Sequence, residues 1–254
     1  MSESSGFDAL SSAPAFYAQP RLLRRRRIRE WWTVLHPPYT MLHLSLVTIG
    51  GCLAGPVNAT RLVETLVAFF LALGIGAHAL DELEGRPLKT TIPKWQLIAA
   101  AAISFSGAVA LGVLGMFLVS YYMVVFIVVG AFVALSYNLE LFGGRFHTPL
   151  VLVLSWGAFP ILTAYYAQHA TVSFGAFAAA AFGALIVQIQ RLLSTPAREL
   201  RRRTASVEGT ITRTDGTSIA ITAQTILRPL ERSLMTLCWL GVAMAVALAY
   251  LQFR

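Results

Sequence analysis

Long apolar runs separated by short polar breaks fill the chain from residue 39 onward, at 39–56, 61–82, 95–117, 120–140, 148–167, 172–193 and 234–252. Each is close to the roughly 20 helical residues that cross a bilayer core, allowing for one that is short and tilted. The pattern predicts an all-α integral membrane protein, a single bundle of about seven transmembrane helices over 39–252. The breaks alternate in character. Those at 55–60 and 168–171 are short and nearly uncharged, whereas 81–94, 140–147 and 194–233 carry cations. Of the 20 lysines and arginines, all but Arg61 and Arg254 fall in the N-terminal region, on the second set of breaks or, for Arg191, at the end of the run that leads into the last of them. Positive charge collects on the cytoplasmic side of membrane proteins, so the expected topology has a cytoplasmic N-terminus and an outside C-terminus.

Three stretches depart from the apolar pattern. Residues 1–20 are rich in Ser, Ala and Pro without helical periodicity and read as a disordered tail. Residues 21–38 hold six arginines between Arg21 and Arg29, then Glu30 and Trp31-Trp32, the composition of a basic helix at a membrane surface facing anionic lipid. Residues 194–233 form the one sizeable segment expected outside the bilayer. There Ile211, Ile219 and Ile221 alternate with polar residues around Asp215-Gly216, which predicts a small cytoplasmic β-hairpin with a two-residue turn before the last span.

Composition narrows the function classes. Hydrophobic residues make up 56% of the 254 and charged residues 13%, which excludes an ordinary soluble domain. The net charge of +8 is explained by topology and lipid contact, with no nucleic-acid partner required. Cys52 and Cys238 lie inside apolar runs and read as small hydrophobes. No zinc-ligand spacing, phosphate-binding loop, nucleophile elbow or solenoid repeat is present.

The candidate chemistry sits at 76–93, GAHALDELEGRPLKTTIP, where an apolar run ends in His78, Asp81, Glu82 and Glu84 followed by Arg86 and Lys89. His78, Asp81 and Glu82 stand at i, i+3 and i+4, so on a continuing helix they share one face at its mouth, and Gly85-Arg86-Pro87 ends that helix. Asp81, Glu82 and Glu84 could hold a magnesium ion against phosphate oxygens, or pair with nearby cations at the membrane face. His78 reads as a proton carrier, a metal ligand or a hydrogen-bonded structural residue, with His43 in the first run as its natural companion. Glu64 is expected to face water near the outer surface, and Gly50, Gly51, Gly74 and Gly76 to mark close helix contacts. The dense arginines Arg198, Arg201, Arg202 and Arg203 around Glu199 are expected to meet an anionic lipid or a phosphate.

Three stretches in this order resemble the UbiA superfamily of intramembrane prenyltransferases: HPPYTMLHLSLVTIGGCLAG, GAHALDELEGRPLKTTIP and SYNLELFGGRFHTPLVLVLSWGAFP. The resemblance spans about residues 35–203. It implies a helical bundle that binds an isoprenyl diphosphate through magnesium held by two aspartate-rich loops. Joined to the reading of the residues themselves, it gives as candidates for catalysis Asp81, His78 and Glu82, for metal contacts Asp81, Glu82 and Glu84, and for substrate contacts Arg86, Lys89, Tyr137, Arg145, Arg198, Arg201 and Arg202. Against the family pattern NDxxDxxxD, this chain has His78 and Gly85 where the first and third aspartates stand and keeps Asp81 at the second. Its second loop is cationic, with Glu199 the carboxylate among arginines. The expected function is a divergent UbiA-like transferase acting on an isoprenyl or other lipid diphosphate. The alternative is a non-catalytic relative that binds lipid or quinone, or serves as a subunit of a membrane complex. A transporter is a third class, against which stands the absence of an evident inverted repeat.

Overall fold

The structure is a computed structural model that describes residues 25–254. The expected tail at 1–20, and Arg21 and Arg24 of the basic helix, lie outside the described residues. A short helix, α1 (Arg26–Val34), precedes α2 (Pro37–Leu53), and the two are separated by His36 in the left-handed region at φ 44°. Pro37 and Pro38 suit the first helical positions, where no N–H partner exists to be lost. The first long helix therefore starts two residues before the apolar run does.

The chain continues through α3 (Ala59–Leu83), α4 (Lys94–Leu118), α5 (Met123–Asn138), α6 (Pro149–His169), α7 (Phe174–Arg202) and α8 (Ala223–Phe253). Every apolar run of the sequence is thus helical. Five helices, α3, α4, α6, α7 and α8, are long and apolar enough to cross a membrane, which makes this a multi-pass membrane protein. The α5 helix is apolar but has 16 residues, and α2 has 17.

The helices alternate in direction. Gln252 donates to the Cys52 carbonyl, and Arg61 donates to the carbonyls of Gln168 and Leu118, so one end gathers the close of α2, α4, α6 and α8 with the start of α3. The opposite end carries α1, the loops after α3 and α5, and the arginine-rich end of α7; it is called the basic end below. Small residues set the closest crossings. A Cβ on Gly50 would strike the backbone of Ile161, and one on Gly157 would lie 2.8 Å from the Ala184 Cα, so α2–α6 and α6–α7 pack backbone to backbone. Replacing Gly157 by valine is expected to cost about 1–3 kcal/mol through overpacking. Thermal unfolding in detergent checks it, with Gly175→Ala, which meets no tight neighbour, as the control expected to melt unchanged.

The segment outside the helices is shorter than 194–233. The α7 helix passes through Pro196 to Arg202, and α8 starts at Ala223 under a capping box in which Thr222 and Thr225 each accept from the other's backbone N–H. No glycine or asparagine stands between Leu193 and Arg202 to stop the helix, so it runs on into polar sequence. The hairpin is present, with β1 (Thr210–Thr212) antiparallel to β2 (Ser218–Ala220) and Ile211 opposite Ile219. Its turn differs from the expected two-residue form. Gly216 N–H donates to the Arg213 carbonyl and Gly216 sits at φ 84°, a three-residue loop with glycine in the left-handed position. Both the N–H and the hydroxyl of Thr217 donate to Asp215, which holds that exposed carboxyl below its ordinary value.

Candidate functional site

Two π-helical segments shape the basic half of the bundle, Phe70–Ala77 within α3 and Leu154–Ala158 within α6. A π-bulge widens the turn and leaves a backbone carbonyl poorly partnered, which is why such segments cluster at functional sites. Here a carbonyl of each accepts from a buried histidine. His78 Nδ1 donates to the Gly74 carbonyl at 3.1 Å, and His43 Nδ1 donates to the Trp156 carbonyl at 2.9 Å. A carbonyl can only accept, so both rings carry their proton on Nδ1 in these bonds. His43 Nε2 is buried without a partner among the described residues. His78 and His43 do not stack on each other. Tyr39 lies between them, with ring centroids 4.2 Å from His43 and 5.9 Å from His78, and His36 packs on His78 at 4.8 Å.

The acids of the 76–93 stretch separate in space. Glu82 is fully buried, and its carboxylate accepts from the N–H of Leu88 and Thr90 and from the Thr90 hydroxyl, each at 2.9 Å. It fastens the loop after α3. Arg86 works within the same loop, donating to the Ile92 carbonyl at 2.7 Å from a backbone at φ 51°. The loop is tied to α1 as well, because Thr91 donates to Glu30 while Arg26 pairs with it at 3.0 Å. Partial burial pushes Glu30 up, but those hydrogen bonds outweigh it and leave the carboxyl below its ordinary value. Glu84 leaves the helix in extended backbone and is exposed, as is Lys89. Among the described residues, no three of His, Cys, Asp and Glu converge as a metal site would require.

Asp81 faces elsewhere. It is exposed, and it lies in the field of His147, Arg198 and Arg202, with Glu82 as a like-charged neighbour. These come from the loop after α5 and the end of α7, so Asp81 opens onto a mouth between helices. Tyr137 closes one wall, stacked on His147 with centroids 4.3 Å apart and tilted against Trp156 at 4.9 Å. It shares the field of Asp81, Arg198, Arg191 and Glu140. His147 Nδ1 donates to the Tyr137 carbonyl at 3.1 Å, and Glu140 lies 3.7 Å from the same nitrogen.

Of the residues singled out in the sequence, the structure brings Asp81, Tyr137, Arg198 and Arg202 to this mouth, while His78 is buried against His36 and Tyr39. Glu82 and Arg86 sit behind it in the loop. Arg145 is exposed on the loop after α5, and Arg203 is exposed at the end of α7. Arg201 is turned away, its guanidinium buried against Glu231 of α8, where Nε donates to Oε1 at 2.7 Å. Sequence reasoning missed His36, Tyr39, His147, Trp156 and Arg191. His147 could have been found, since it ends a loop expected on the same side as the 81–94 loop.

Beside the mouth lies an apolar cavity of about 530 Å³ between α3, α4, α5 and α6. Phe146, Val151 and Trp156 line its upper part, next to His147 and Tyr137, and Leu73 and Phe69 carry its wall downward to Thr65, Glu64 and Arg61. From Leu73 to Arg61 the wall runs roughly 18 Å at the α-helical rise of about 1.5 Å per residue. Glu64 is half-buried against this cavity rather than facing open water, and Arg61 closes the far end by capping the carbonyls of α4 and α6.

Burial, and then the charges of His78, Arg202 and Arg198, hold His36 well below its ordinary value of 6.5. The folded state therefore binds fewer protons there than the unfolded state. Its stabilising effect is present above the unfolded value and is lost as pH falls below about 6.5. Replacing His36 by asparagine is expected to flatten the fall in melting temperature between neutral pH and about pH 5, read from thermal scans in detergent.

No protein-family model, no curated protein and no solved structure matches the chain.

Proposed function

We propose that the protein is a divergent UbiA-like membrane transferase that takes an isoprenyl or similar lipid carrying a phosphorylated head. The observation that supports this is the contact between two unlike spaces: a mouth with Asp81, Arg198 and Arg202, and an apolar cavity that begins at Trp156 beside it. The volume falls in the range of small-molecule sites, and the mostly apolar lining suits a hydrocarbon chain. In this reading the chain lies along α3 and the head rests between Arg198 and Arg202. Asp81, with Tyr137 and His147 near it, is the group placed to take a proton from an acceptor. The α2 and α5 helices join the five long ones to give seven spans, with the basic end cytoplasmic and the C-terminus outside. Anionic lipid then meets the exposed arginines of α1 and Arg203.

The magnesium ion that the resemblance implies is poorly served by the donor set. Asp81 offers a carboxylate at the mouth, whereas Glu82 is taken by Leu88 and Thr90, and Glu84 departs with the extended chain. The same fact favours the second reading, a non-catalytic lipid- or quinone-binding relative or a subunit of a membrane complex.

Mass spectrometry of lipids extracted from the purified protein tests the binding part common to both. A phosphorylated isoprenoid enriched over bulk membrane lipid is expected. Enrichment of a quinone without any phosphorylated lipid would replace the transferase reading with the second one.

A further inference from the structure

We infer that the lipid lying in the cavity carries a hydroxyl group at the end of its chain remote from the head, and that Glu64 receives it. This rests on the cavity reading above and names a second polar group on its ligand.

The lining itself points there. The polar residues around the cavity are Arg61, Glu64, Thr65, Ser155 and Thr163. Thr65 donates to the Arg61 carbonyl and Thr163 to the Phe159 carbonyl, so both hydroxyls are spent on their own helices. Arg61 is spent as well, since its guanidinium donates to the carbonyls of Gln168 and Leu118. Glu64 and Ser155 are left, and neither makes a hydrogen bond or ion pair among the described residues. They stand at opposite ends. Arg61 reaches Gln168 and Phe69 lies against Phe159, so Glu64 is level with the part of α6 about ten residues past Ser155, or about 15 Å at the helical rise. The lining between them is otherwise apolar. Ser155, next to Trp156, lies at the head end, so the far-end role falls to Glu64.

A plain hydrocarbon chain fits this space badly at one point. Its end would cover a half-buried carboxylate, displace the water that solvates it and return no hydrogen bond. A hydroxyl returns one, and of the stronger kind, because the acceptor is charged. The donor is neutral rather than an ammonium. Arg61 stands one turn before Glu64 on α3, and its fixed positive charge already offsets the carboxylate.

The test uses the full chain in nanodiscs, titrated with dodecyl phosphate and hexadecyl phosphate and with the ω-hydroxy form of each. The head is the same within a pair, so the ratio of the two affinities reads the far end alone. Comparing that ratio between the wild-type chain and Glu64→Leu cancels the different partition of the two lipids into the bilayer. At the better fitting length, the ratio is expected to favour the ω-hydroxy lipid by at least about tenfold more in the wild type than in Glu64→Leu. Glu64→Gln, whose amide oxygen still accepts, should fall between them. Melting temperatures without lipid should hold, since Glu64 has no ion pair to lose; if the leucine variant does not fold, the glutamine variant carries the comparison. A ratio unchanged in the folded variants would overturn the inference, and so would an ω-ammonio lipid that gains more from Glu64 than the ω-hydroxy one. If the plain and ω-hydroxy lipids bind alike throughout, this inference fails while the cavity reading stands. If none of the lipids binds, both fail.

Discussion

Replacing Glu82 by alanine is expected to lower stability by about 3–5 kcal/mol, the range for removing one partner from a buried charged network. The carboxylate is fully buried and accepts three hydrogen bonds from residues six and eight positions later in the chain. Its removal leaves the N–H groups of Leu88 and Thr90 without their acceptor in a part-buried loop. Glu82→Gln is expected to cost less but not to rescue, because its amide NH₂ would meet those same N–H donors. Thermal unfolding in detergent reads the loss. Limited trypsin digestion localises it, since Lys89 is exposed on the loop and should be cut faster in the variant. A variant that melts like the parent and keeps Lys89 protected would show that the loop is held by other contacts.

Filling the cavity should have the largest effect on ligand binding. Ala108 and Ala131 both line it from α4 and α5, and each is half-buried. A phenylalanine at either position occupies space that a bound chain needs and gives back apolar contacts to the protein. Melting temperature is therefore expected to hold or rise slightly, while affinity for geranylgeranyl lipids falls about a hundredfold, near 2.8 kcal/mol. Geranyl lipids, with half the chain, should lose less than geranylgeranyl ones. Equal loss for both chain lengths would mean that the chain does not run along α3.

Much of this architecture was legible in the sequence because one physical demand dominates. A chain in lipid must satisfy its backbone internally, so each apolar run became a helix, although α7 runs past its apolar part to Arg202 and α8 starts before its own at Ala223. Gly85 at φ 69° ends α3 as a glycine after a helix does, and Ile211 opposite Ile219 follows from the alternation around Asp215-Gly216. The site was legible as a neighbourhood and not as an arrangement. Glu82 looked equivalent to Asp81 because the two are adjacent, yet its role depends on a loop that returns to it, which no local pattern reveals. The π segments depend on packing by neighbouring helices, so periodicity is silent about them. The split between Arg201 and the pair Arg198 and Arg202 follows from helical phase, and it was hidden because the apolar run stops at 193 while α7 continues through polar sequence to Arg202.

The most direct test of a lipid with its chain in the cavity and its head at the basic end is photo-crosslinking with an isoprenyl monophosphate that carries a diazirine at the far end of its chain. Peptide mapping after irradiation in nanodiscs should place adducts on cavity residues such as Gly112, Phe126 and Phe159, and the Ala108→Phe variant should abolish them. Adducts confined to outward-facing residues such as Ile103, Phe117 or Phe174, and unchanged by that variant, would contradict the cavity as the lipid site.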